Sequence, residues 1–131
     1  MSKFDLACII DDDPIFVYGT KRLMQLTQFC DKFLVFHNGQ DAIDYLRPAI
    51  LNNEKKPEII LLDLNMPVMD GWQFLDELIQ VPTHVVITIY IVSSSIDPAD
   101  RNRAKLYQNV TNYLIKPMTA QRLKEILNEH N

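Results

Sequence analysis

A chain of 131 residues, 47% of them hydrophobic, fits one ordinary domain with a buried core and leaves little room for a second. Its net charge of −4 disfavours non-specific binding to nucleic acid or to an anionic membrane, and fits an acidic pocket that recruits a cation. No apolar run approaches the roughly 20 residues that span a bilayer, and the opening Met1-Ser2-Lys3-Phe4-Asp5 lacks an apolar signal region, so a cytoplasmic protein is expected.

Short apolar runs alternate with amphipathic stretches five times, the pattern of βα units around a parallel sheet covered on both faces. Strands are predicted near 5–10, 32–36, 58–62, 84–92 and 111–115, each followed by a helix. In the first strand Cys8 reads as a small hydrophobe; with no C-x-x-C or Cys/His cluster, neither zinc nor a Cys8–Cys30 disulfide is expected. Asp13-Pro14 starts the first helix with a capping carboxylate and a proline suited to the first turn, and Phe16, Leu23 and Leu26 form its core stripe. Pro48 falls inside the second helical pattern and predicts a kink or stop near Leu46 and Arg47. The third helix buries Leu75, Leu78 and Ile79 and opens on Trp72, read as a surface or half-buried aromatic. Asp97-Pro98 begins a fourth helix over about 98–107, where Arg101, Arg103 and Lys105 leave only Ala99, Ala104 and Tyr107 to bury, so it should dock loosely. Thr119 caps the last helix, whose core face is Leu123, Ile126 and Leu127. His37 and His84 have no metal-ligand spacing, and Arg101, Arg103, Lys105, Arg122 and Lys124 read either as a basic output face or, as is usual for charged helix faces, as a solvated one. Without repeats or a linker, one domain is expected over 1–131, with no output domain.

Four of the apolar runs end in polar residues of different kinds: Asp11-Asp12-Asp13, Asp63, Ser93-Ser94-Ser95 and Lys116. In an open parallel α/β sheet, ligands bind outside the carboxyl ends of the strands, so these groups should converge there. A carboxylate at a strand end can act as a nucleophile toward phosphorus if the developing charge is neutralised. Asp11 and Asp12 would supply a magnesium site, since that ion takes one or two carboxylates plus phosphate oxygens and water. A cation and Lys116 would relieve the repulsion among the acids.

Taken together, the acidic pair, the block Asp63-Leu64-Asn65-Met66-Pro67-Val68-Met69-Asp70-Gly71, the strand-end hydroxyl and Tyr113-Leu114-Ile115-Lys116-Pro117 resemble the receiver domain of two-component response regulators over essentially the whole chain. The resemblance implies a flavodoxin-like (βα)5 fold with strand order 2-1-3-4-5. It implies that Asp63 accepts a phosphoryl group from the phosphohistidine of a sensor histidine kinase or a histidine phosphotransfer protein. Asp11, Asp12, Asp63 and the Asn65 carbonyl would hold Mg2+, with Asp12 the more direct ligand of the acidic pair. Lys116 would pair with the phosphoryl oxygens, its bond to Pro117 would be cis, and Asn65 and Ser95 would tune water access. Counting back from Ala104 selects Ser93 as the switch hydroxyl; counting back from Lys116 selects Ser94, because the loop before the last strand has one residue more than usual. Ser93 is preferred, since a loop insertion leaves the strand register intact. Tyr113 takes the aromatic switch position and reads equally well as an edge-strand packing residue.

The reading is thus a signalling switch with no enzymatic turnover on a substrate, acting on an unknown downstream protein or passing the phosphoryl group on. An enzymatic rival is a haloacid-dehalogenase-like phosphatase with Asp11 as nucleophile and Asp13 as acid, which leaves the Asp63 block unexplained. A third reading is an adaptor of the same shape that works without phosphorylation.

Overall fold

The computed structural model describes residues 3–130. Five strands, β1 (Ala7–Ile10), β2 (Phe33–Phe36), β3 (Ile59–Leu62), β4 (Thr88–Ser93) and β5 (Val110–Ile115), alternate with five helices. These are α1 (Pro14–Leu26), α2 (Gly39–Leu51), α3 (Gly71–Leu78), α4 (Pro98–Ala104) and α5 (Ala120–Glu129). The strands form one parallel sheet in the order β2-β1-β3-β4-β5, as expected.

Both faces of the central strands are covered, which is why their sequences are continuously apolar rather than alternating. Successive side chains point to opposite faces, so Cys8, Ile10, Ile60, Leu62, Ile89 and Ile91 pack beneath α2, α3 and α4. Ala7, Ile9, Ile59, Leu61, Tyr90 and Val92 pack beneath α1 and α5. Cys8 and Cys30 are free and buried. Asp13, Asp97 and Thr119 cap α1, α4 and α5 by accepting the N–H groups of Ile15, Ala99 and Arg122.

Several local expectations are corrected. Strand β4 starts at Thr88 rather than 84, because β3 begins at Ile59 and offers no partner to the preceding residues, so Val86 remains 86% exposed. Helix α2 runs through Pro48 to Leu51. The ring faces solvent and removes one backbone bond, while Leu46, Ala49 and Ile50 bury on the other side and offset a cost of about 3 kcal/mol.

The core stripe of α1 is Val17, Thr20 and Met24, with Phe16 and Leu23 partly covered and Leu26 out in solvent; a polar Thr20 hid the true face. Ile79 caps the end of α3 and is exposed. Trp72 is buried, stacked on Tyr107 with ring centroids 5.8 Å apart and covered by the Arg103 guanidinium 4.5 Å above its ring. That packing ends α4 early, at Ala104: Tyr107 turns back to stack and to donate its hydroxyl to Asp76 at 2.6 Å. Of the residues read as anchoring α4, Ala104 is buried, Tyr107 is half-buried and Ala99 is exposed.

The extra residue before the last strand is taken up inside β5. Ile89 pairs with Val110 but Tyr90 pairs with Asn112, so Thr111 bulges out. Beyond the bulge the register resumes and sets Ser93 opposite Ile115.

Candidate functional site

The carboxyl ends of β1, β3, β4 and β5 bring the chemically distinctive side chains to one edge of the sheet. Asp11 follows β1, and its N–H donates to the Phe36 carbonyl at 2.9 Å; the Asp63 N–H donates to the Ile10 carbonyl at 2.9 Å. Continuing strand bonding therefore fixes both acids before their side chains are considered. Asp11, Asp12 and Asp63 each offer a carboxylate oxygen, and the three lie within 4.8 Å of one another. Asp11 and Asp63 are buried, and Asp12 is exposed.

Local bonds orient the acids. Asp11 Oδ1 accepts the Asp13 N–H and Asp63 Oδ1 accepts the Leu64 N–H, each at 2.9 Å. Their second oxygens face Lys116, whose Nζ lies 2.9 Å from Asp11 Oδ2 and 3.7 Å from Asp63 Oδ2. The approach to Asp11 is an ion pair but misses hydrogen-bonding directions, so the buried Asp11 Oδ2 has no hydrogen-bond partner. Gly71 lets the chain after Asp63 fold back tightly. A Cβ there would run into the Asp63 carbonyl and lie 2.9 Å from Leu64 Cα, while the Gly71 N–H donates to the Leu64 carbonyl at 2.9 Å. Asp70 and Gln73 then close a reciprocal cap that starts α3.

Three carboxylates share one ammonium, and the electrostatics show the imbalance. Burial, followed by the Asp11 charge, pushes Asp63 from its ordinary 3.8 up to about 6, against the pull of Lys116 and the Leu64 N–H. Burial raises Asp11 too, outweighing the pull of the Lys116 ammonium and of the Asp13 N–H. For Lys116 burial works to lower the pKa, but Asp11 and Asp63 together outweigh it and hold the ammonium above its ordinary value. Three clustered carboxylates with one ammonium between them, hence an unbalanced negative charge, and an all-oxygen donor set together fit a hard divalent cation.

The remaining residues take distinct places. Ser93 is fully buried at the end of β4 and its Oγ accepts the Ser95 N–H at 3.1 Å; Ser94 is exposed. The Lys116 N–H donates to the Ser93 carbonyl at 2.9 Å, tying the two strand ends together. Tyr113 is 5% exposed, points inward and donates its hydroxyl to the Ser95 carbonyl at 2.9 Å. Ser95 in turn donates to Asp100 of α4 at 2.7 Å. Asn65 is exposed, two residues past Asp63, and Asp13 is committed to capping α1. The Lys116–Pro117 bond is cis.

Two residues at the site were not foreseen. His37 sits with Nδ1 3.3 Å from the Asp11 carbonyl; its place just past β2, the neighbour of β1, is the only signal the sequence offers. Phe16, read as core, has the Lys116 ammonium 4.6 Å from its ring centroid. No local pattern pairs those two positions, which lie a hundred residues apart in the chain.

Comparison with known proteins agrees with this architecture. The chain is 28% identical over 122 residues to a probable methanogenesis regulatory protein, FilR2, of Methanothrix harundinacea, covering 92% of this chain and 77% of that one. Against staphylococcal relatives described as a response regulatory protein and the transcriptional regulatory protein HptR it spans only 43% of their length. A two-component response regulator from Cytophaga hutchinsonii superposes with a TM-score of 0.83 at 30% identity, over 97% of this chain and 96% of that one. The phosphorylated cyanobacterial phytochrome response regulator RcpA superposes with a TM-score of 0.70 at 26% identity, over 96% and 90%. The family model of the response regulator receiver domain matches residues 7–128. With that match across its sheet and all five helices, the chain belongs to the response regulator receiver domain family.

Proposed function

We propose that this receiver takes a phosphoryl group from the phosphohistidine of a sensor histidine kinase or histidine phosphotransfer protein onto Asp63, and thereby switches its binding to a downstream protein or relays the group. The observation that carries this reading is the convergence of Asp11, Asp12 and Asp63 within 4.8 Å, with Lys116 between the two buried acids. That the similar RcpA is a phosphorylated protein supports it.

Asp11, Asp12, Asp63 and the Asn65 carbonyl would hold Mg2+, which when bound supplies charge neutralisation for phosphoryl oxygens. The chain's own groups do the rest. An Asp63 carboxylate oxygen attacks phosphorus, the P–N bond of the donor breaks, and its electron pair returns to the donor imidazole, leaving an acyl phosphate. Strand-end bonding holds Asp63 in place for this attack, and its raised pKa leaves it ionised at neutral pH. Lys116 is near enough to Asp63 to share its charge with an incoming phosphoryl group. Ser93 would turn its hydroxyl toward the acyl phosphate. Breaking its present bond to the Ser95 N–H would then reach Tyr113, which binds the carbonyl of that same residue.

A charge-assisted hydrogen bond contributes about 1.5–3 kcal/mol, short of the roughly 5.5 kcal/mol needed to move a two-state equilibrium from nearly all-off to nearly all-on. Lys116 and partner binding supply the remainder in this reading. The protein modifies itself and does not turn over a substrate, and we place it in the cytoplasm; among the described residues no helix is long and apolar enough to cross a membrane.

The test is the intact mass of wild type and Asp63→Asn after incubation with Mg2+ and acetyl phosphate. One added phosphoryl group in wild type alone is expected. Labelling of neither protein, with the fold intact, would replace the reading by a phosphorylation-independent adaptor; labelling of both would make another acid the acceptor.

A further inference from the structure

We propose that Phe16 is a positioning residue for Lys116, its ring face holding the ammonium beside the acidic cluster; the inference rests on the phosphoacceptor reading above. Phe16 is the third residue of α1, one position before the first buried side chain of that helix, Val17. It packs only partly against the core beneath α1. Its remaining face is turned to Lys116, with Nζ 4.6 Å from the ring centroid.

Lysine carries its charge on a flexible four-carbon stem, so a fixed backbone does not fix the ammonium. Here the backbone is pinned, because the Lys116 N–H donates to the Ser93 carbonyl. On the acidic side the head is held by the Asp11 ion pair at 2.9 Å, while Asp63 Oδ2 is 3.7 Å away, and neither carboxylate bounds it toward α1. The aromatic face bounds the ammonium from the helix side, and its negative quadrupole attracts the charge.

The contact gains weight when a cation shares Asp11. A divalent ion draws on that carboxylate and repels the ammonium, so the Asp11–Lys116 attraction weakens while the ring's attraction does not. An aliphatic residue such as leucine would fill the same space on α1 with a better helix propensity, but offers no quadrupole. A partly desolvated cation–π contact corresponds to a change of about two- to thirty-fold in an equilibrium or rate.

Phe16→Leu removes the ring and keeps the apolar bulk, whereas Phe16→Tyr keeps the ring. In cation-free, unphosphorylated protein, the ring current of Phe16 should shift the Lys116 Cε and Nζ protons upfield in the NMR spectrum of wild type and Phe16→Tyr, and the shift should vanish in Phe16→Leu. With Mg2+ and acetyl phosphate, the labelling rate of Asp63 should fall about five-fold in Phe16→Leu and recover in Phe16→Tyr, while Mg2+ affinity is unchanged. In a Lys116→Gln background, Phe16→Leu should slow labelling no further. Unshifted Lys116 protons in wild type, or an equal loss from Phe16→Leu with and without Lys116, overturn the proposal. Failure of wild type to label at all overturns the phosphoacceptor reading instead, and the ring-current measurement tells the two apart because it uses no phosphodonor.

Discussion

Asp63 carries a cost of burial at the site. Its pKa is about 6 in the folded chain against an ordinary 3.8, so between those values the folded state binds a proton that the unfolded state has lost. Stability from this group is full below pH 3.8 and disappears as the pH rises through about 6. The rise is equivalent to at most about 3 kcal/mol at pH 7. Asp63→Asn can still accept the Leu64 N–H, and should be more stable than wild type by about 1–3 kcal/mol at pH 7, with the gap closing near pH 4. Urea unfolding at the two pH values checks this; a variant less stable at pH 7 would show that Lys116 gains more from Asp63 than burial costs. A second strained residue stands nearby. Val68 holds φ at 68° while 80% exposed, a conformation that a β-branched side chain rarely adopts. Val68→Gly should raise stability by about 1 kcal/mol, seen as a higher Tm, because the relief of strain exceeds glycine's entropic cost.

Among the elements, α4 is bound less by apolar burial than by side chains that reach across to its neighbours. Arg103 covers Trp72, Tyr107 bonds Asp76, and Arg101 lies 5.2 Å from the Tyr113 ring centroid. Trp72 holds α3 and α4 together from a buried position, so Trp72→Ala should cost about 3–5 kcal/mol in urea unfolding; a cost below 1 kcal/mol would mean that the stack is incidental. These contacts mark the limit of what the sequence discloses. The strands and the caps Asp13, Asp97 and Thr119 were legible because apolar runs and capping side chains are local signals, whereas the strand order came from the family resemblance. The burial of Trp72, the early end of α4 and the Phe16–Lys116 contact were not, because each depends on a partner from a distant segment. Thr20 misled the reading of α1 for a simpler reason: a polar residue in the core stripe breaks an apolar periodicity.

At the scale of the whole molecule, the site concentrates negative charge in a chain whose net charge is −4. Binding a cation at neutral pH should therefore stabilise the fold as well as prepare the site. Mg2+ at a hundred times its dissociation constant should add about 2.7 kcal/mol. Protons compete for Asp63, so the gain should shrink below about pH 6. Differential scanning calorimetry with and without Mg2+ at pH 7.5 and 5 (both about one unit or more from that value) checks the prediction, and an equal Tm rise at both would place the ion away from Asp63.

The bulge at Thr111 separates the length of a loop from the alignment of a reactive edge. Because pairing is restored between Tyr90 and Asn112, an added residue upstream is absorbed before it can displace Ser93 or Lys116. It works like an expansion joint, with slack admitted at the far end of the strand so that the near end stays true. Deleting Thr111 should thus leave Asp63 labelling intact, and the loop before β5 becomes a place where this chain can lengthen or shorten without touching its chemistry.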